Sequence, residues 1–148
     1  MKEKLIKGLL AELEKKKELC KELIRMYEER LQKSLEEVEE GDRAKRSENE
    51  YLLAFYQKKL LEVEETIKQV SLDSKFIRKR ADEVLPWTAV ELSNGLKVFI
   101  VPYSGGEKVE DFTVVSVNSP IYERLKSKRV GDEVVLPNGE KTKVERIA

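Results

Sequence analysis

Apolar residues recur along the first half of the chain at alternating steps of four and three. Ile6, Leu10, Leu13, Lys17, Cys20, Ile24, Tyr27, Leu31, Ser34 and Val38 keep that spacing, and only Lys17 and Ser34 break its apolar character. Such a repeat is the seam of a coiled coil. A second run, Leu53, Tyr56, Leu60, Val63, Ile67, Val70, Ser74, Ile77, Ala81 and Val84, steps by three and four, with Ser74 its one polar member. The two seams predict two long helices folded antiparallel about a tip at residues 41–49. Gly41 can end the first helix in the left-handed conformation. Ser47 with Glu50 three residues on is a capping-box pattern that starts the second near Glu48. That helix is expected to run unbroken to about Val84, because Pro86 disfavours helix at Leu85. Antiparallel pairing about the tip puts Lys17 level with Ser74 as a polar layer. An arm of ~40 residues reaches about 60 Å.

From Thr88 the pattern changes to alternation punctuated by turns. Ala89–Leu92 and Leu96–Val101 flank Ser93-Asn94-Gly95, and Asn-Gly between such runs signals a hairpin. Phe112–Val117 reads as a buried strand. Ser119 as N-cap and Pro120 at the first helical position begin a short helix, with Ile121 and Leu125 on one face. Glu133–Leu136 and Lys141–Ile147 are strands joined by Pro137-Asn138-Gly139. The expected fold is therefore α+β: a coiled-coil hairpin over residues 1–85, then a small domain of five strands and one helix over 86–148.

Charge does not separate the halves: residues 1–84 carry 20 basic and 20 acidic side chains, and 85–148 carry 9 of each. A net charge of zero argues against simple electrostatic coating of nucleic acid. With no histidine and one cysteine, Cys20, the chain has neither a Cys/His zinc site nor an internal disulfide. Cys20 reads as a small buried seam residue. No apolar run reaches the ~20 residues of a membrane span, and Met1-Lys2-Glu3-Lys4 does not open a signal peptide. A cytoplasmic monomer is expected. By residue type Asp42 reads as a turn residue after Gly41. Glu48 and Glu50 read as helix-start charges, and Glu36, Glu37, Glu39 and Glu40 as a solvated face. Arg43, Lys45 and Arg46 form a basic loop, and Lys75, Arg78, Lys79 and Arg80 a basic helix surface.

Ser116-Val117-Asn118-Ser119-Pro120-Ile121, followed by Val130-Gly131-Asp132-Glu133-Val134 and a Pro-Asn-Gly-Glu hairpin, resembles the C-terminal domain of Gre-type transcript cleavage factors. That family begins with an antiparallel coiled-coil hairpin. Gly41-Asp42 and Glu50-Tyr51 resemble the ends of its tip motif, Gly-Asp-x-x-Glu-Asn-x-Glu-Tyr. Seven residues separate those ends here, where the family has five, and Lys45 stands where the family has its second acid. The resemblance implies an FKBP-like C-terminal domain and bacterial RNA polymerase as partner, with Ser119 and Pro120 at the polymerase contact. It implies that the hairpin enters the secondary channel and meets the nascent RNA 3′ end. Asp42, with Glu48 as second acid, would there help hold an active-site Mg²⁺, so that the polymerase, not this chain, cleaves backtracked RNA. Mg²⁺ takes carboxylate oxygens and keeps several waters, and two-metal phosphodiester chemistry uses one ion on the attacking oxygen and one on the leaving oxygen. Arg43, Lys45 and Arg46 would contact RNA or polymerase. The alternative is a channel-binding regulator that donates no metal ligand.

Overall fold

A computed structural model describes residues 2–36, 42–75, 77 and 81–148. Two long helices come first, α1 (Lys2–Glu36) and α2 (Asp42–Asp73), forming the expected helical hairpin. Six strands and one short helix follow: β1 (Ala89–Leu92), β2 (Lys97–Val101), β3 (Lys108–Val109), β4 (Phe112–Ser116), α3 (Pro120–Leu125), β5 (Glu133–Val135) and β6 (Lys141–Ile147). The chain divides into two compact units, one of Met1–Glu12 with Val70–Ala148 and the other of Leu13–Gln69.

In the helical unit, Leu13, Cys20, Tyr27 and Val63 are buried, as the seam predicts. The rings of Tyr27 and Tyr56 stack at 5.8 Å with an interplanar angle of 10°. The Arg30 guanidinium covers Tyr27 at 5.4 Å. This stack sets the register: ten residues further along each arm, Lys17 comes level with Thr66, not with Ser74. Burial pushes the Cys20 thiol up from its ordinary pKa, with Lys59 and Lys16 pulling it partly back, so Cys20 is a packing residue.

The second helix departs from expectation at both ends. It begins at Asp42 instead of Glu48, so Ser47 lies inside the helix and caps nothing. Glu50 reaches the Arg46 Nε at 3.4 Å, an i,i+4 pair that only a continuous helix provides. The helix ends at Asp73, well short of Val84. Ser74 N–H closes the last turn on Val70 O at 2.9 Å, and Ser74 Oγ donates to Ser71 O at 2.9 Å. Such local side-chain bonds compete with helix continuation. Val84, predicted to be the last seam residue, is instead fully buried in the core of the sheet. Its N–H donates to Lys128 O and its carbonyl accepts from Ser127 N, both at 2.9 Å.

The sheet is mixed, in the order β3-β4-β2-β1-β6-β5. β2 and β4 run parallel, and every other pair is antiparallel. β3 is the strand the sequence reading missed. It turns into β4 through Glu110 and Asp111, both at positive φ (48° and 69°), which is hairpin geometry without the Asn-Gly signature. One face packs Val90, Leu92, Val98, Ile100, Val134 and Val144 around Leu125 of α3. Phe99 alternates to the other face, fully buried with its ring 5.9 Å from that of Trp87. Within the same unit Gly8 of α1 lies against Val109, where a β-carbon would collide with the Val109 side chain. The buried stripe at the start of α1 is accordingly Lys2, Leu5 and Leu9, in place of the expected Ile6 and Leu10.

Candidate functional site

Two places carry the residues singled out above: the start of α2 and the turn before α3. At the first, Gly41, Glu37, Glu39 and Glu40, together with the side chains of Glu36, Asp42 and Arg43, lie outside the described residues. So do Phe76 and the basic residues Arg78, Lys79 and Arg80. Lys45, Arg46 and Glu48 are exposed on the first turns of α2. Because α2 is continuous from Asp42, helical geometry fixes how its positions relate. Positions 42 and 48 stand about 9 Å apart along the axis and about 120° apart around it. The helix therefore does not bring Asp42 and Glu48 onto one face. The positions that share a face with Asp42, three and four residues on, are Lys45 and Arg46. Among the described residues no group of three or more His, Cys, Asp or Glu side chains is placed to hold a metal ion.

Of the exposed aromatics near this end of α2, the sequence pointed to Tyr51 through the tip motif and did not flag Phe55. Tyr51 and Phe55 are 69% and 48% exposed, although both types usually bury most of their surface. Phe55 meets Tyr56 edge-on at 5.2 Å. Position was the available signal, since both fall outside the heptad seam that Leu53 and Tyr56 hold.

At the second place, Ser119 is the N-cap of α3 as expected, in extended backbone, and its Oγ accepts the Tyr122 N–H at 3.2 Å. Pro120 occupies the first helical turn and is exposed. Ser119→Ala should cost about 1 kcal/mol in stability by removing the cap, and Ser119→Asn should restore most of it. Urea denaturation of the three proteins checks this; equal midpoints would show that the cap contributes nothing. Beside this helix, Leu96, Ile121, Leu136 and Pro137 line an apolar groove with Asn94, Asn138 and Glu140. Asn94 Nδ2 donates to Glu140 Oε1 at 3.2 Å, tying together the tips of two hairpins.

The remaining buried polar residues belong to the folded sheet unit. Lys2 and Glu107 are buried. Burial, reinforced by the charges of Glu107 and Asp73, raises the Tyr103 phenol far above its ordinary pKa, so it stays neutral. No helix among the described residues is long and apolar enough to cross a membrane.

No family model and no curated protein matches the chain. Solved structures similar to it include GreA factor homologue 1 (Gfh1) of Thermus thermophilus, 22% identical over 98% of this chain and 95% of that one, at a TM-score of 0.38. A second is a structure of the transcription factor Gfh1, 21% identical over 95% and 94% of the two chains, at 0.41. A third is Thermus aquaticus Gfh1, 23% identical over 95% and 93%, at 0.37.

Proposed function

We propose that the chain is a transcription elongation factor that binds bacterial RNA polymerase, enters its secondary channel with the helical hairpin, and regulates the enzyme there without stimulating RNA cleavage. The partner is supported by the sequence resemblance over Ser116–Ile121, Val130–Val134 and Pro137–Glu140, set in a chain that places a helical hairpin before a sheet. The choice of regulation over cleavage rests on one observation, the unbroken helix from Asp42. Helix positions about 9 Å apart along the axis and on different sides of it do not suit joint ligation of one Mg²⁺, which demands near-octahedral coordination at ~2.0–2.1 Å. Asp42 and Glu48 thus do not fit the two-carboxylate site implied by the family resemblance. The exposed cations Lys45 and Arg46 fit a different task, contact with RNA phosphates or polymerase carboxylates. Among the described residues the partner Arg46 would give up is the exposed Glu50, and such surface pairs are worth little.

The test is a stalled, backtracked elongation complex given the full chain across a range of Mg²⁺ and pH. The expected result is binding and slowed elongation with no added cleavage. Stimulated cleavage that Asp42→Asn abolishes would establish the opposite reading, in which Asp42 donates a ligand to the polymerase-held Mg²⁺. In the same complex Ser119→Asn separates two roles. A Ser119 that serves only as helix cap leaves polymerase affinity unchanged in this variant, whereas a direct contact loses it.

A further inference from the structure

We propose that the two Asn-Gly turns of the sheet unit are sites of spontaneous deamidation with unequal rates, Asn138 converting first and Asn94 being protected by Glu140. In an Asn-Gly pair the glycine nitrogen can attack the asparagine Cγ, because glycine has no side chain to hinder the approach. A nitrogen–Cγ bond forms, the Cγ–Nδ2 bond breaks, and ammonia leaves with the proton released by the glycine nitrogen. Water then opens the cyclic imide at either carbonyl to give aspartate or isoaspartate. The net reaction is amide plus water to acid plus ammonia, and it needs no oxidant or cofactor.

Both asparagines are exposed at hairpin tips. Each is followed by a glycine in the left-handed region, Gly95 at φ 91° and Gly139 at φ 87°. The two turns restrain the reacting nitrogen alike. Gly95 N–H donates to Leu92 O at 3.0 Å, and Gly139 N–H donates to Leu136 O at 2.8 Å. The side-chain oxygens are also held alike: Asn94 Oδ1 accepts the Leu96 N–H and Asn138 Oδ1 accepts the Glu140 N–H, each at 3.0 Å. The leaving group is where they differ. Asn94 Nδ2 is bound to Glu140 Oε1 at 3.2 Å, and the Asn94 N–H is pinned to Thr142 Oγ1 at 3.2 Å. Among the described residues no such bond holds the Asn138 amide nitrogen. Reaching the imide from Asn94 requires breaking the bond to Glu140, while Asn138 needs only the turn to open.

Both residues line the groove that contains Ile121. Each conversion adds a negative charge there, and an aspartate at 94 would put its carboxylate against that of Glu140, turning the tie between hairpins into a repulsion. That this face docks on polymerase rests on the function proposed above; the order of deamidation does not.

The experiment ages the full chain in mildly alkaline buffer and follows aspartate and isoaspartate at each position by peptide mapping. Asn138 is expected to convert roughly fivefold faster than Asn94, the ratio set by a hydrogen bond of ordinary net strength. Glu140→Ala should raise the Asn94 rate by a similar factor and leave Asn138 unchanged, since the backbone N–H that holds Asn138 Oδ1 remains. Equal rates in the unmodified chain, faster loss of Asn94, or an Asn94 rate indifferent to Glu140→Ala would each overturn the proposal. The first comparison needs no variant, so a folding defect in Glu140→Ala cannot rescue the idea.

Discussion

Phe99→Ala should destabilise the sheet unit by about 3–5 kcal/mol, the range for removing a large aromatic side chain from a packed core. Total stabilities of domains lie at about 5–15 kcal/mol, so the variant should sit at or near the edge of folding. Phe99 is fully buried. Its strand is interior to the sheet, with Ala89 of β1 and Val114 of β4 as its neighbours in register. Neither flanking strand can move in to fill the void without breaking a ladder. Phe99→Leu keeps most of the volume and should cost about 1.5 kcal/mol or less. Trp87 is the single tryptophan of the chain, and its ring lies 5.9 Å from that of Phe99. Its fluorescence therefore reports urea unfolding of this unit directly. A cost for Phe99→Ala no larger than that for Phe99→Leu would mean the site collapses freely, contrary to the packing described.

The second large effect is expected at the start of α2. Replacing Lys45 and Arg46 together by Ala should weaken binding to the elongation complex roughly tenfold, and should lower the salt dependence of binding by about two counterions if both meet phosphates. Both side chains are exposed, so stability should hardly change. Asp42→Asn should leave binding and regulation intact. The salt dependence decides between partners for the cations, because contacts to polymerase carboxylates release fewer condensed ions than contacts to RNA. Wild-type affinity in the double variant would remove these residues from the interface and put the burden of binding on the sheet unit.

What could be read in the sequence was what short-range periodicity and turn chemistry dictate. The helical hairpin, the Asn-Gly hairpin, the Ser119-Pro120 helix start and the burial of Cys20 depend on residues a few positions apart, and all are found as expected. The strand Lys108–Val109 was hidden because it is two residues long and turns through Glu110-Asp111, a pair with no hairpin signature.

Tertiary structure decided where those patterns stop. Ile77, Ala81 and Val84 keep heptad phase with Val70, yet α2 ends at Asp73 and Val84 is buried in the sheet core, its backbone paired with residues 127 and 128. A valine at a seam position and a valine in a sheet core are the same letter at the same spacing; which one is realised depends on a core assembled from residues between Val90 and Val144. The same holds at the start of α1, where Val109 against Gly8 turns burial toward Leu5 and Leu9. At the candidate site, sequence supplied Asp42, Glu48 and the cations, but whether two carboxylates share a face is a property of the backbone between them. A loop there would have let them meet; the helix from Asp42 onward sets them apart, because each residue turns the chain by about 100° and six residues do not return it to the same side.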